Sequence, residues 1–193
     1  APGGGVDDVF PLVERERVSP QILGIFIGVP RTQAILTEQT PDLERVLIFK
    51  RNLEKICRDR DELVDQIQIT IRHEIGHYLG LFHTHPAWGR IATADVLALV
   101  KDKGIAALDG DLLSDTPPDP ETTYYKEKVS SDLCGGPASF RIEGHTVRPD
   151  RSNMMSYFRC APVTITAQQI AVMRKTLDHP LRAHLVAASR NVR

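Results

Sequence analysis

The chain is short of cysteine and tryptophan, carries no surplus of charge and has no long apolar run, and each shortage removes a class of protein. Cys57, Cys134 and Cys160 are the only cysteines in 193 residues. An odd number allows at most one disulfide within the chain, and without a CxxC pair the usual cysteine-held structural zinc sites are excluded. Any zinc must then be held by histidine. The 24 Lys+Arg are matched by 25 Asp+Glu, with no block of one sign, so neither nucleic acid nor an anionic membrane surface is the expected partner. No segment reaches the roughly 18 to 20 consecutive apolar residues of a membrane helix. Ala1 to Gly5 lack the features of a signal peptide, so the start reads as a mature or trimmed form. The cysteine count leaves the compartment open, with an extracytoplasmic one favoured. Repeats and low-complexity tracts are also missing.

What is present is an ordinary interior, with 41% apolar and 25% charged residues. That suits one ordinary soluble domain spanning 1–193. Ile22 to Val29, a dense apolar run ending in Pro30, reads as a buried strand, and Val46 to Phe49 as a second. Asn52 to Arg58 suggests a short helical turn. Asp59 with Glu62 three residues on has the form of a capping box, and Leu63, Ile67, Ile71 and Ile75 then recur every fourth residue. Together they predict an amphipathic helix over about 60–80, ended by Gly80. Thr93 to Lys103 reads as a helix capped by Thr93 and stopped by Gly104. Asp109 to Pro120 is an acidic, proline-rich loop, and 121–153 carry few periodic signals and read as irregular. Thr166 with Gln169 repeats the capping-box pattern and opens a last helix that Pro180 should end. The expected layout is two subdomains, about 6–80 and 81–193, with a cleft between them.

Seven histidines are a full allotment, and three of them fall within eleven residues. His73, Glu74, His77, Gly80 and His83 spell HExxHxxGxxH, and each position has a physical reason. At about 100° per residue His73 and His77 leave one helix face roughly 6 Å apart along the axis, placed to grip one metal ion. Glu74 lies one step round the helix, within reach of a metal-bound water without being forced to become a ligand, which suits a general base. His83 would be about 120° off this face in a continuous helix, so a third ligand requires a break, and Gly80 supplies it. Three neutral imidazoles with one open position describe catalytic zinc. At background usage of about 2% His, 6% Glu and 7% Gly, the five positions arise by chance on the order of 10⁻⁵ times in a chain this long. The rival for the third ligand is a downstream carboxylate such as Asp95.

On these residues the chain resembles the metzincin clan of zinc peptidases, which adds a methionine-containing turn beneath the metal. Ser152-Asn153-Met154-Met155-Ser156-Tyr157 is similar to that turn. The resemblance implies Met155 as the apolar floor and Tyr157 as a group that steadies the tetrahedral intermediate. Over about 73–178 the order of motifs resembles the pappalysins, through the acidic Gly110-Asp111-Leu112-Leu113-Ser114-Asp115-Thr116-Pro117 segment and through Cys134 and Cys160. It implies a Cys134–Cys160 disulfide, with Cys57 free, and calcium near Asp111, Asp115 and Thr116, whose oxygens are of the type calcium prefers. A solvated acidic loop is the plain alternative. The N-terminal half, with Leu23-Gly24-Ile25-Phe26 and Arg45 to Leu53, instead resembles small bacterial zincin-like metallopeptidases.

The resulting expectation is an α+β, zincin/metzincin-like fold with a small mixed sheet, an active-site helix, a methionine turn and a C-terminal helix. The expected activity is zinc-dependent endopeptidase action by a monomer on a peptide or protein, with Glu74 as base. The alternatives are a catalytically silent zinc-stabilised peptide-binding module and a hydrolase of a non-peptide amide. His85, His145, His179 and His184 read as surface or supporting residues, and Trp88 as core packing. Arg159, close behind the turn, is a candidate for favouring acidic side chains after the cleaved bond.

Overall fold

The computed structural model describes residues 23–27, 45–86 and 90–179. Trp88, His184, Pro180 and the outer residues of the first apolar run lie outside them. Apolar, β-branched sequence forms β1 (Gly24–Ile27) and β2 (Arg45–Ile48), paired antiparallel with Gly24 opposite Ile48 and Ile27 opposite Arg45. Helix α1 (Lys50–Ile56) follows and buries Leu53 completely, and α2 (Arg60–Tyr78) runs back against both strands. Downstream come α3 (Thr93–Lys103), a 3-10 turn (Ile105–Leu108), α4 (Glu121–Lys128), the hairpin β3 (Phe140–Ile142) and β4 (His145–Val147), and α5 (Ala167–Asp178). The class is therefore α+β, as expected of a zincin-like fold. Where a small mixed sheet was expected, both described sheets are antiparallel pairs.

The start of α2 uses half of the expected box. The Asp59 carboxylate accepts from the Glu62 amide at 2.8 Å, while the Glu62 carboxylate accepts from the Arg58 amide instead of that of Asp59. Its end is a Schellman motif: Gly80 donates to the His77 carbonyl, Leu81 donates to the Gly76 carbonyl, and Gly80 sits at φ +90°. The buried face of α2 differs from the expected apolar stripe. Ile71 and Ile75 are 37% and 40% exposed, whereas Ile69, Thr70, His73, Glu74 and Gly76 are buried. The helix does have two faces, but the one covered is the polar, metal-motif face, against which β1 packs at Gly24 and the 154–155 turn packs at Gly76 and His73.

Two further expectations are corrected. Thr93 does not cap α3. Its N-cap is Ala92, and the Thr93 hydroxyl donates to the Glu127 carboxylate of α4 at 2.6 Å. Residues 121–153 are also less irregular than expected. They hold α4 and a hairpin whose turn, Glu143-Gly144, has φ +47° and +84°, both in the left-handed region that matches strand twist. These elements enclose the downstream core of Val96, Val100, Leu108, Tyr124, Ile142 and Val147. A second cluster joins Leu81, Met154 and Met155 to Val172 and Met173 of α5. Helix α5 opens with the complete expected box, Thr166 and Gln169 each bonding the other's backbone.

Candidate metal centre

The long polar face of α2 and the break after it bring three histidines together. Among the described residues, one group of three or more His, Cys, Asp or Glu has its ligand atoms within 4.8 Å of one another: His73, His77 and His83. Their Nε2 atoms form a triangle with edges of 3.2 Å (73–77), 3.2 Å (73–83) and 3.0 Å (77–83). Four-residue spacing on a helix accounts for the first edge, and the Gly80 reversal for the other two. Asp95, the carboxylate rival, is exposed on α3 and outside this group.

The donor set can be tested for its fit to a metal. His73 Nδ1 donates to the Met154 carbonyl at 2.7 Å and His77 Nδ1 to the Leu81 carbonyl at 2.9 Å. A carbonyl accepts only, so both Nδ1 atoms carry the proton, and both Nε2 atoms of these neutral rings present bare lone pairs. Two lone pairs facing each other at 3.2 Å repel unless a cation lies between them. Nitrogens held tetrahedrally at about 2.0–2.1 Å from one zinc stand about 3.3 Å apart, close to the distances found. Burial pushes the His73 pKa well below its usual value, and that of His77 also down, which keeps both rings neutral as ligands must be. The residues fit zinc.

Glu74, next to His73 on α2, is buried as well. Gly24 of β1 lies so close to it that a methyl group there would stand 3.2 Å from Glu74 Oε1 and 2.5 Å from Thr70 Cγ2. The strand can approach the metal-motif face of α2 only because residue 24 has no side chain. Arg159, at φ +58°, donates a hydrogen bond to the Thr70 hydroxyl, and its charge acts on Glu74. The residue expected to influence specificity thus faces the helix that carries the histidines.

The methionine turn lies beneath the histidines. Met155 is fully buried, and its sulfur would be 2.4 Å from a methyl group placed on Gly76, so floor and helix meet through a glycine. The Tyr157 ring stands 4.7 Å from His83 and 6.0 Å from His73, centroid to centroid. Burial first, then the carboxylates of Glu121 and Glu74, push its pKa up to about 12, so the phenol keeps its proton and is a donor at neutral pH.

His85 was expected at the surface or in a supporting place, and the supporting place is what it occupies. It is 1% exposed and stacks on the His83 ring at 4.6 Å. His145 is exposed and His179 half-buried. Cys134 and Cys160 form the disulfide implied by the resemblance, and Cys57 is free. The calcium candidates are only partly brought together. Asp111 accepts from the Thr116 hydroxyl at 2.6 Å, but Asp115 turns to the start of α5, accepting from the Thr166 hydroxyl and the Gln168 amide. Sequence reasoning missed the close approach of Gly24 to Glu74, about 50 positions away; only the glycine in an apolar strand hinted at it.

A helix carrying HExxH, a glycine break, a third histidine and a methionine beneath them make up a metallopeptidase-type centre. The comparison with protein families agrees: residues 7–85 match the family of zincin-like metallopeptidases, a stretch that holds β1 through α2 and ends two residues past His83. No curated protein and no solved structure matches the chain.

Proposed function

We propose that the chain is a zinc-dependent endopeptidase of metzincin type, pappalysin-like in its second half, and that 1–193 act as one monomeric catalytic domain with subdomains meeting near Gly80. The observation that carries this reading is the Nε2 triangle of His73, His77 and His83, with Glu74 buried next to His73 on α2. Bound there, zinc supplies Lewis acidity, lowering the pKa of a water to about 7 and polarising a carbonyl. The chain's own residues do the rest. Glu74, on the next step of α2, takes the proton of the attacking water and delivers it to the leaving amine. Tyr157, protonated and facing His83, donates to the oxygen on which negative charge develops. Arg159 holds the helix at Thr70 and presents positive charge where an acidic side chain beyond the cleaved bond would lie. The carboxylates of Asp111 and Asp115 serve protein donors as they stand, so calcium enters only through the pappalysin resemblance.

The test is cleavage of a broad peptide library with metal analysis, comparing the parent with Glu74→Ala. The expected result is about one zinc per chain in both and an activity lower by at least about 10²–10⁴-fold in the variant. Full proteolysis by Glu74→Ala would refute the mechanism. Zinc uptake with no cleavage by the parent would favour a silent peptide-binding module, and cleavage confined to small amides the non-peptide hydrolase.

A further inference from the structure

Asp119 lies in the proline-rich loop, has no place in the metal motif, and is 1% exposed. One of its carboxylate oxygens, Oδ2, accepts from two hydroxyls, Thr84 Oγ1 at 2.7 Å and Ser156 Oγ at 2.8 Å. The other, Oδ1, accepts from the Glu121 amide at 2.8 Å. Thr84 directly follows His83, and Ser156 sits between Met155 and Tyr157. A single oxygen therefore ties the segment carrying the third histidine to the turn that carries the methionine floor and the tyrosine. Around it the backbones are packed without slack: Thr84 donates to the Met155 carbonyl, Gly110 donates to the Thr84 carbonyl, and a methyl group on Gly110 would lie 1.9 Å from the His85 carbonyl oxygen. The Asp119 amide in turn bonds the Leu108 carbonyl, anchoring the loop to the downstream core.

We propose that Asp119 is a positioning residue for the zinc centre, setting where His83 and Tyr157 stand relative to the two ligands on α2. This rests on the zinc reading above. Its physical basis is that α2 orients His73 and His77 through its own backbone, whereas His83 lies on irregular chain, where a buried charge-assisted bond is needed to hold one geometry. Both hydroxyls point their protons at Oδ2 and the Glu121 amide points its proton at Oδ1, so an asparagine amide, with one oxygen and one NH2, has the wrong polarity for at least one of these three donors.

The experiment measures zinc affinity by competition with a chelator, together with the visible spectrum of the cobalt-substituted protein, which reports ligand geometry independently of activity. The proteins compared are the parent, Asp119→Asn, Thr84→Val, Thr84→Ser and Ser156→Ala. Thr93→Val removes a comparable hydroxyl–carboxylate bond between α3 and α4 and serves as the control. Asp119→Asn and Thr84→Val are expected to weaken zinc about 10–100-fold and to change the cobalt spectrum. Thr84→Ser, which keeps the hydroxyl, is expected to retain both properties, and Thr93→Val to leave the spectrum unchanged. Should Asp119→Asn fail to fold, Thr84→Val and Ser156→Ala, each losing one bond, decide the matter. Parental affinity and spectrum in those two overturn the proposal while leaving the zinc reading intact. A parent that takes up neither zinc nor cobalt overturns both.

Discussion

The two walls of the candidate centre are built on different principles. On α2, His73, Glu74 and His77 are placed by helical repeat, so a stretch of 19 residues that folds as a helix carries its geometry with it. The turn at 152–160 has no regular repeat and is held from several distant points. Met154 donates to the Thr164 carbonyl, Asn153 exchanges two side-chain bonds of 3.0 Å with Gln169 of α5, and Ser156 reaches Asp119. Arg151 adds hydrogen bonds to the Leu133 and Gly136 carbonyls, beside the Cys134–Cys160 disulfide. The difference teaches that ligands can be specified locally, while the groups set opposite them on the turn depend on the completed downstream fold.

His83→Ala tests the joint between the walls and should have the largest effect. Zinc affinity is expected to fall by more than about 100-fold, beyond what supporting residues usually cost. Near-parental affinity would show that a carboxylate, and not His83, closes the site. Tyr157→Phe probes the turn alone. It is expected to keep zinc and lower kcat by about 10²–10³-fold with little change in KM, as loss of one oxyanion donor does; an unchanged kcat would remove Tyr157 from the chemistry.

Gly24→Ala probes the helix wall from behind. The added methyl displaces Thr70 and crowds Glu74, with an expected loss of up to about 100-fold in kcat/KM and no loss of zinc. Equal activity in the variant would mean that β1 yields without moving the base.

The smallest expected effect is on stability against pH. His73, His77 and His85 all have pKa values pushed down by burial, so the unfolded chain binds protons that the folded one refuses. Their contribution is present in full above the unfolded value of about 6.5 and is lost as pH falls below it. Denaturant midpoints of the zinc-free protein should drop between pH 7.5 and 5.5. A midpoint that rises on acidification would show these rings to be charged in the fold.

Much of this arrangement was legible in the residues. The helix start at Asp59, its stop at Gly80 and the box at Thr166 and Gln169 are local rules, satisfied by neighbours within a few positions. The hairpin at 140–147 escaped notice because strands of three residues give almost no alternation to count. Helix α4 escaped because its first residue, Glu121, enters at φ +69° without a side-chain cap, leaving no start signal. The exposed Ile71 and Ile75 misled for a deeper reason: periodicity reports that a helix has faces, but not which face the rest of the molecule will cover.

What the amino-acid sequence determined by itself is the chemistry of the centre: which three histidines converge, which carboxylate accompanies them, and where the helix must break. Those follow from a rise and a turn per residue that need no partner. Only the tertiary structure decided what surrounds them: Gly24 against Glu74, the Tyr157 ring edge-on to His83, and Asp119 joining Thr84 to Ser156. Such contacts join residues 35 to 74 positions apart, and no local spacing rule encodes them, because their geometry exists only once separate segments share one buried volume.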